Sequence, residues 1–262
     1  MRLAVAGKDV YAYSGTLAFD ASRPTILFVH GAANDHSVFA LQSRYFAYHG
    51  RNVLALDLPG HGRSSGPGLA SVEAIAQWLI QVADAIGVPK VALVGHSLGS
   101  LAALECAARS PDRVEKLALI APAAPMPVSD ELLATAAHDE PLAYALINGW
   151  SYSAGKQLGG NTWPGVWLMG NALRLMERMP NGMLATDLVA CNTYMNGVEA
   201  AGAVRCPTLV VLGARDIMAP PKSAAALISA LPNAQTRTLV DTGHALMAEQ
   251  PDQVLDALRG FL

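Results

Sequence analysis

Short apolar runs alternate along the chain with longer stretches in which apolar residues recur every three or four positions. Runs such as Val91-Ala92-Leu93-Val94 are apolar throughout. This pattern is typical of strands that are covered on both faces, as in a parallel sheet. The predicted strands are Thr25–His30, Asn52–Asp57, Lys90–Gly95, Lys116–Ala121, Pro207–Gly213 and Gln235–Val240. Two earlier segments, Leu3–Val5 and Val10–Tyr13, predict an antiparallel hairpin at one edge of the sheet.

The stretches between these strands have helical periodicity. Ile75, Leu79, Val82 and Ile86 keep one face of one such stretch apolar. The predicted helices are Ser37–His49, Leu69–Ile86, Ser97–Arg109, Ser223–Ala230 and Asp252–Phe261. Alternating strands and helices imply right-handed crossovers, so the predicted fold class is α/β, with a mostly parallel central sheet flanked by helices.

The alternation breaks between residues 123 and 204. Clear strand patterns are missing there, and proline and glycine are frequent, but helical pieces remain, including Asp130–His138 and Gly170–Met179. Three tryptophans, Trp150, Trp163 and Trp167, fall in this stretch. We interpret residues 123–204 as an inserted helical cap over the carboxyl edge of the sheet. Residues 1–122 and 205–262 then form the core domain.

Composition and charge narrow the class of protein. Of the 262 residues 52% are hydrophobic and 15% are charged, which is typical of a folded chain with a large core. The net charge is −3, and the sequence has no run of Lys or Arg that indicates a nucleic-acid-binding face. It also has no stretch of about 18 apolar residues, so no membrane span is expected. The first residues do not resemble a secretory signal, and the cysteines, Cys106, Cys191 and Cys206, have no metal-like spacing. We expect free thiols and a cytoplasmic location.

The candidate chemistry centres on Gly95-His96-Ser97-Leu98-Gly99, which fits the pattern G-x-S-x-G between a predicted strand and a predicted helix. A sharp turn at this point presents the Ser97 hydroxyl at the edge of the sheet, and the helix N-terminus favours negative charge there. Gly95 and Gly99 leave out side chains that would collide across the turn. The alternative is a tight turn in which the serine only caps the helix.

A serine hydroxyl needs a base before it becomes a nucleophile. His244 is the best candidate, because it follows the last predicted strand, although a single loop histidine is usually only solvated. Asp216 follows the strand Pro207–Gly213 and can orient the imidazole. Its alternative role is that of a turn or helix-capping aspartate. The loop after Lys116–Ala121 offers no carboxylate, which favours Asp216.

An oxyanion hole requires two backbone N–H groups that point at the developing negative charge. Leu98, directly after the candidate nucleophile, supplies one. The loop His30-Gly31-Ala32-Ala33-Asn34 supplies the other; Ala32 is our choice, and Ala33 is the neighbour with which it can be confused. The alternative for this loop is an ordinary loop start.

The segments FVHGAAND, LDLPGHGRSSGP, LVGHSLGSLAAL, LGARDIMAPP and DTGHALMAEQP together resemble the α/β-hydrolase superfamily with a helical cap. The resemblance is to the branch of carboxylesterases, enol-lactonases, carbon–carbon bond hydrolases, perhydrolases and epoxide hydrolases. It implies Ser97, Asp216 and His244 as catalytic triad and Ala32 with Leu98 as oxyanion donors. Epoxide hydrolases and haloalkane dehalogenases of this superfamily carry aspartate where this chain has serine, so their chemistry is not expected.

The resemblance also bears on the neighbouring polar residues. Asp57 and His61 belong to a recurring family loop and are interpreted as structural, although His61 can alternatively line the site. His96, beside the candidate nucleophile, is expected to pack or hydrogen-bond at the turn rather than act as a base.

The expected function is that of a serine hydrolase that cleaves an ester-like bond of a small to medium, apolar acyl substrate. A carbon–carbon bond hydrolase or a perhydrolase with the same triad is the first alternative, and a non-catalytic ligand-binding member of the fold is the second. The cap tryptophans are expected in the substrate pocket, or alternatively only hold the cap on the core. Arg174 and Arg178 either bind a substrate carboxylate or pair with Glu177 on a solvated helix face. No metal, organic cofactor or nucleic-acid partner is implied, and a homodimer is left open.

Overall fold

The structure is a computed structural model, and it describes residues 1–160 and 165–262. In this part of the chain the strands form one sheet of eight strands in the order β1-β2-β4-β3-β5-β6-β7-β8. They are β1 (Arg2–Val5), β2 (Lys8–Tyr13), β3 (Thr25–Val29), β4 (Asn52–Leu56), β5 (Val91–His96), β6 (Val114–Ile120), β7 (Thr208–Gly213) and β8 (Ala234–Leu239).

The pairing of the strands confirms the predicted α/β class. The neighbours from β4 to β8 are parallel, whereas β1 pairs with β2 and β2 pairs with β4 in antiparallel fashion. The expected hairpin therefore lies at one edge of the sheet. Every predicted strand is present, with ends that differ by at most two residues.

Helices cover both faces of the sheet. Successive side chains of a strand point to opposite faces, so Leu27 and Val29 join one core cluster and Ile26 and Phe28 join the other. The first cluster includes α2 (Val72–Ala85), α3 (Leu98–Arg109) and α10 (Ala225–Ala230), and the second includes α1 (Ala40–Tyr48), α11 (Leu246–Glu249) and α12 (Pro251–Arg259). This double cover explains why the inner strands β3, β4, β5 and β7 are buried along their whole length.

Residues 123–204, called the helical segment below, contain helices and no strand in their described part. The helices are α4 (Asp130–His138), α5 (Glu140–Ser151), α6 (Ala154–Gln157), α7 (Leu168–Met176), α8 (Met183–Thr193) and α9 (Gly197–Ala203). A separate apolar cluster joins α4, α5, α7 and α8. The last part of the segment packs against the core domain. Its residues Tyr194 and Ala201 belong to the core cluster that includes α3.

Among the described residues, no helix is both long and apolar enough to cross a membrane. The three cysteines are free, and Cys106 and Cys191 are buried.

Candidate active site

The candidate nucleophile lies at the tight turn between β5 and α3. Ser97 has φ of 53° and ψ of −120°, a left-handed conformation that side chains rarely adopt. Two glycines make the turn possible: a Cβ on Gly95 would overlap the carbonyl oxygen of Gly99, and a Cβ on Gly99 would overlap the carbonyl oxygen of Val29. Gly95 avoids the expected collision across the turn, whereas Gly99 makes room for the end of the neighbouring strand β3.

Three side chains that are distant in sequence form one chain of hydrogen bonds. Ser97 Oγ lies 2.9 Å from His244 Nε2, and His244 Nδ1 lies 2.8 Å from Asp216 Oδ2. Ser97, His244 and Asp216 follow β5, β8 and β7, which are parallel in the sheet. Their carboxyl ends therefore meet at one edge, where ligands bind in open α/β sheets.

Asp216 is buried, and both of its carboxylate oxygens have hydrogen-bond partners. Its Oδ1 accepts hydrogen bonds from the backbone N–H groups of Met218, at 2.9 Å, and Ala219, at 2.8 Å, which leaves Oδ2 for His244. Burial alone raises the pKa of a carboxyl, but the attraction and hydrogen bond of His244 and the two backbone N–H groups outweigh it and lower the pKa of Asp216. The lowered pKa favours the carboxylate form of Asp216, in contact with Nδ1 of the imidazole.

His96 supports the loop that carries His244. Its Nε2 donates to the backbone carbonyl oxygen of His244 at 2.9 Å. Burial and the neighbouring His244 lower the pKa of His96 to about 3, so the ring is neutral. Its Nδ1 is buried without a hydrogen-bond partner in the described part of the chain. These contacts agree with the expectation that His96 acts in packing and not as a base.

Two backbone N–H groups lie beside Ser97 without a partner. Leu98 is the first residue of α3, where an N–H has no acceptor within the helix. Ala32 lines the cavity in front of Ser97. Within residues 1–160 and 165–262, neither N–H donates a hydrogen bond, whereas the N–H of Ala33 donates to Asp187. This difference separates Ala32 from the neighbour with which it could be confused.

A cavity of about 500 Å³ opens over Ser97 and His244. Its walls are mostly apolar and come from the core loops and from the helical segment, including Val128, Leu132, Ile147, Leu175, Met176 and Met218. Of the three tryptophans expected here, Trp150 lines the cavity. Trp163 lies outside the described residues. Trp167 is not in the wall; it is 70% exposed, and its ring lies against the backbone of Gly170 in α7.

The two arginines of α7 and its C-terminal end differ in their surroundings. Arg174 pairs with Glu177 at 2.5 Å and is not in the cavity wall. Arg178 lines the cavity and lies 3.5 Å from Asp35. Arg178 is therefore the guanidinium that a ligand in the cavity can reach.

Among residues 1–160 and 165–262, Asp35, His36 and Asp57 form a group that could hold a metal ion, with ligand atoms within 4.8 Å of one another. These atoms already have partners. Asp57 Oδ1 accepts from both the backbone N–H and Nδ1 of His36, and Oδ2 accepts from the backbone N–H of Arg63. The arrangement serves to fix the loops after β3 and β4, as expected for Asp57.

Two buried carboxylates next to the site were missed in the sequence. Asp187 contacts Ala33 and His61, and Glu249 contacts Gly243 beside His244. The sequence contains a signal for Asp187. Its helical spacing from Leu184, Leu188 and Cys191 places it on the apolar face of α8. A carboxylate on an apolar stripe needs a buried partner.

Comparison with known proteins places the chain in a family. The sequence profile described as "Alpha/beta hydrolase family" matches residues 26–257. The chain belongs to this family, and it is a hydrolase of the α/β type.

Among its relatives, the "sn-1-specific diacylglycerol lipase ABHD11" of Mus musculus is 28% identical over 257 residues, which cover 93% of this chain and 82% of the relative. The "Esterase YbfF" of Escherichia coli is 27% identical over 243 residues, which cover 90% of this chain and 92% of the relative. The enol-lactonase from Burkholderia xenovorans LB400 has the same fold, with a TM-score of 0.88 at 22% identity over 100% of this chain and 99% of that one.

Proposed function

We propose that this protein is a serine hydrolase that cleaves an ester bond of a small to medium, mostly apolar substrate through an acyl-enzyme on Ser97. The observation that carries the proposal is the continuous hydrogen bonding from Ser97 through His244 to Asp216 at the mouth of an apolar cavity. The relatives named as esterase and lipase support an ester as the substrate bond.

In the proposed mechanism the hydrogen bond to Asp216 keeps the proton of neutral His244 on Nδ1. Nε2 is then free to accept the Ser97 proton as Oγ attacks the substrate carbonyl. The N–H groups of Ala32 and Leu98 stabilise the oxyanion, and each is worth roughly 3 kcal/mol in the transition state. His244 next protonates the leaving alcohol, and water hydrolyses the acyl-enzyme by the same steps in reverse.

The helical segment serves in this proposal as a cap. It contributes Leu132, Ile147 and Leu175 to the wall that faces Ser97, so it sets the shape of the acyl site. The division into a core of residues 1–122 and 205–262 and a cap of residues 123–204 follows from this role. A cytoplasmic location and a homodimer stay predictions from the sequence.

Replacement of the nucleophile tests the proposal. Ser97→Ala removes the attacking oxygen, so we expect hydrolysis of p-nitrophenyl esters to fall by about 10³-fold or more, with an unchanged circular dichroism spectrum. Ser229→Ala, an exposed serine of α10, is the matched control and should retain full activity. Ester turnover by Ser97→Ala at the wild-type rate would contradict the proposal.

One observation favours a second candidate. Arg178 lines the cavity, and a carbon–carbon bond hydrolase needs a cationic group for the substrate carboxylate. Turnover of p-nitrophenyl esters of varied chain length can be compared with turnover of a vinylogous diketone that carries a carboxylate. An ester hydrolase prefers the esters, and its activity on them does not depend on Arg178.

A further inference from the structure

A buried carboxylate of the helical segment contacts the loop that carries the candidate oxyanion donor. Asp187 lies on α8 and is 1% exposed. Its Oδ2 accepts a hydrogen bond from the backbone N–H of Ala33 at 2.8 Å, and His61 Nε2 lies 2.9 Å from the same oxygen. One side chain of the segment thereby reaches two loops of the core, those after β3 and after β4.

The contact with Ala33 fixes one of the two peptide groups that flank Ala32. The N–H of the Ala32–Ala33 peptide donates to Asp187, and its carbonyl oxygen accepts from Asn34 Nδ2 at 2.9 Å. Ala33 has φ of 49°, a left-handed conformation that residues other than glycine rarely adopt. A side-chain acceptor that binds this N–H therefore stabilises a conformation that the loop does not favour by itself.

The other flanking peptide is fixed from the opposite side. His30 is fully buried, and its Nδ1 lies 2.8 Å from the carbonyl oxygen of Gly31. In a trans peptide the N–H points away from the carbonyl oxygen of the same unit. Since the Gly31 oxygen points at the buried His30 ring, the Ala32 N–H points the other way, toward the cavity that Ala32 lines.

His61 contacts both residues that fix the peptide groups on either side of Ala32, namely Asp187 and His30. Its Nε2 faces the Asp187 carboxylate, and its Nδ1 lies 3.1 Å from the carbonyl oxygen of Pro59. Both partners are acceptors, so the cationic ring, with a proton on each nitrogen, is the form that can donate to both. Burial alone lowers the pKa of His61, but the Asp187 carboxylate outweighs burial and the pKa is raised. The ring also packs against His30, with 4.9 Å between the ring centroids.

We infer that Asp187 is a positioning residue, which holds the Ala32 N–H in its oxyanion-binding orientation through Ala33 and through a buried ion pair with His61. The inference rests on the proposed function for the role of the Ala32 N–H. Its consequence is that the helical segment does more than line the cavity, because it also supports the stabilisation of the transition state.

The kinetic test uses Asp187→Asn, which keeps the shape of the side chain and removes its charge, and Asp187→Ala, which removes the acceptor. Loss of one oxyanion donor lowers kcat by about 10²–10³-fold, so a misplaced donor should lower it by about 10–10²-fold while KM changes by less than about threefold. The affinity for a boronic acid, which mimics the tetrahedral intermediate, should fall by the same factor, whereas that for the product alcohol should not. Val189→Ala, at an exposed position of the same helix, is the control. Unchanged kcat in folded Asp187→Ala, or equal loss of affinity for both ligands, would overturn the inference.

A second measurement tests, without any assay of activity, whether Asp187 fixes the backbone of Ala33. Hydrogen exchange followed by NMR should show a protected Ala33 amide in the wild type and at least tenfold faster exchange in Asp187→Ala. A wild-type Ala33 amide that exchanges like an exposed loop overturns the inference whatever the activity. If Ser97 proves not to be a nucleophile, the proposed function fails, and the exchange result still decides whether Asp187 holds the loop.

Discussion

At the scale of single residues, the unusual backbone conformation of Ser97 is maintained by hydrogen bonds to its own backbone N–H and carbonyl groups. A non-glycine residue in a sparsely populated conformation costs on the order of 1–3 kcal/mol, and it persists only where its surroundings determine it. Here Ser97 N–H donates to the carbonyl oxygen of Ile120, and the Ser97 carbonyl oxygen accepts from Ser100. The close approach of α3 to β3 at Gly99 completes the constraint.

The glycine at this approach gives a prediction for stability. In Gly99→Ala the new methyl group would overlap the carbonyl oxygens of Val29 and His30, and backbone cannot move aside as a side chain can. We expect the free energy of unfolding in urea to fall by about 1–3 kcal/mol, and ester turnover to fall as well, because His30 lies in the loop before Ala32.

The control for this substitution is Gly202→Ala in α9, where a Cβ meets no atom within 4 Å. There alanine should raise the free energy of unfolding by up to about 1 kcal/mol, because glycine is the poorer helix former. Equal effects of the two substitutions would show that the approach of α3 to β3 is looser than described.

At the scale of elements, the core could be predicted because its signals are local. Apolar runs identified β3 to β7, and the spacing after them indicated which loops carry Ser97, Asp216 and His244. The helical segment was harder to predict. Proline is frequent in this segment and indicates interrupted helices, yet Pro141 occupies the first turn of α5, where proline is tolerated because its missing N–H has no partner within the helix.

The contacts that link the segment to the site could not be predicted from the sequence. Ala33 and Asp187 are 154 residues apart, and no local pattern pairs a carboxylate with a backbone N–H at that distance in sequence. The position of Trp167 could not be predicted either, since the sequence does not show whether a tryptophan covers a helix surface or lines a pocket. Composition indicated an aromatic segment but not the direction of each ring.

At the scale of the whole molecule, the helical segment contacts the core on both sides of Ser97. Asp187 of the segment binds the loop that carries Ala32 and Ala33. On the other side, Glu249 of the core helix α11 connects the loop that carries His244 to the segment. Glu249 accepts from the backbone N–H of Gly243 at 2.9 Å and from Ser153 Oγ at 2.5 Å. The N–H of Ala245 also donates to the carbonyl oxygen of Ser151. Both neighbours of His244 are thus connected to the end of α5 and the residues that follow it.

The Glu249 contact predicts a pH dependence of stability. Burial raises the pKa of Glu249 above its ordinary value of 4.5, and the hydrogen bonds from Ser153 and Gly243 only partly oppose this. The folded state therefore binds the proton more tightly than the unfolded state, and the free energy of unfolding falls as the pH rises from about 4.5 through the folded pKa. Glu249→Gln does not titrate, so its stability relative to the wild type should increase over this range.

Urea unfolding of both proteins at a series of pH values measures this difference. Ser153→Ala removes a hydrogen bond that lowers the pKa of Glu249, so the fall in stability should extend to higher pH in that variant. The quantity to compare is the free energy of unfolding of Glu249→Gln minus that of the wild type. If this quantity is constant with pH, or decreases as the pH rises, the account of this contact is contradicted.

The central claim is that Ser97 is a nucleophile activated by His244, and reaction with a fluorophosphonate probe tests it most directly. Mass spectrometry of the digested protein should find one phosphonate adduct, on the peptide that contains Ser97. The adduct should be absent from urea-unfolded protein and strongly reduced in His244→Ala, because the activation depends on the folded hydrogen bond between the two side chains. Folded wild-type protein that leaves Ser97 unmodified, or that reacts at Ser97 equally well without His244, would contradict the claim.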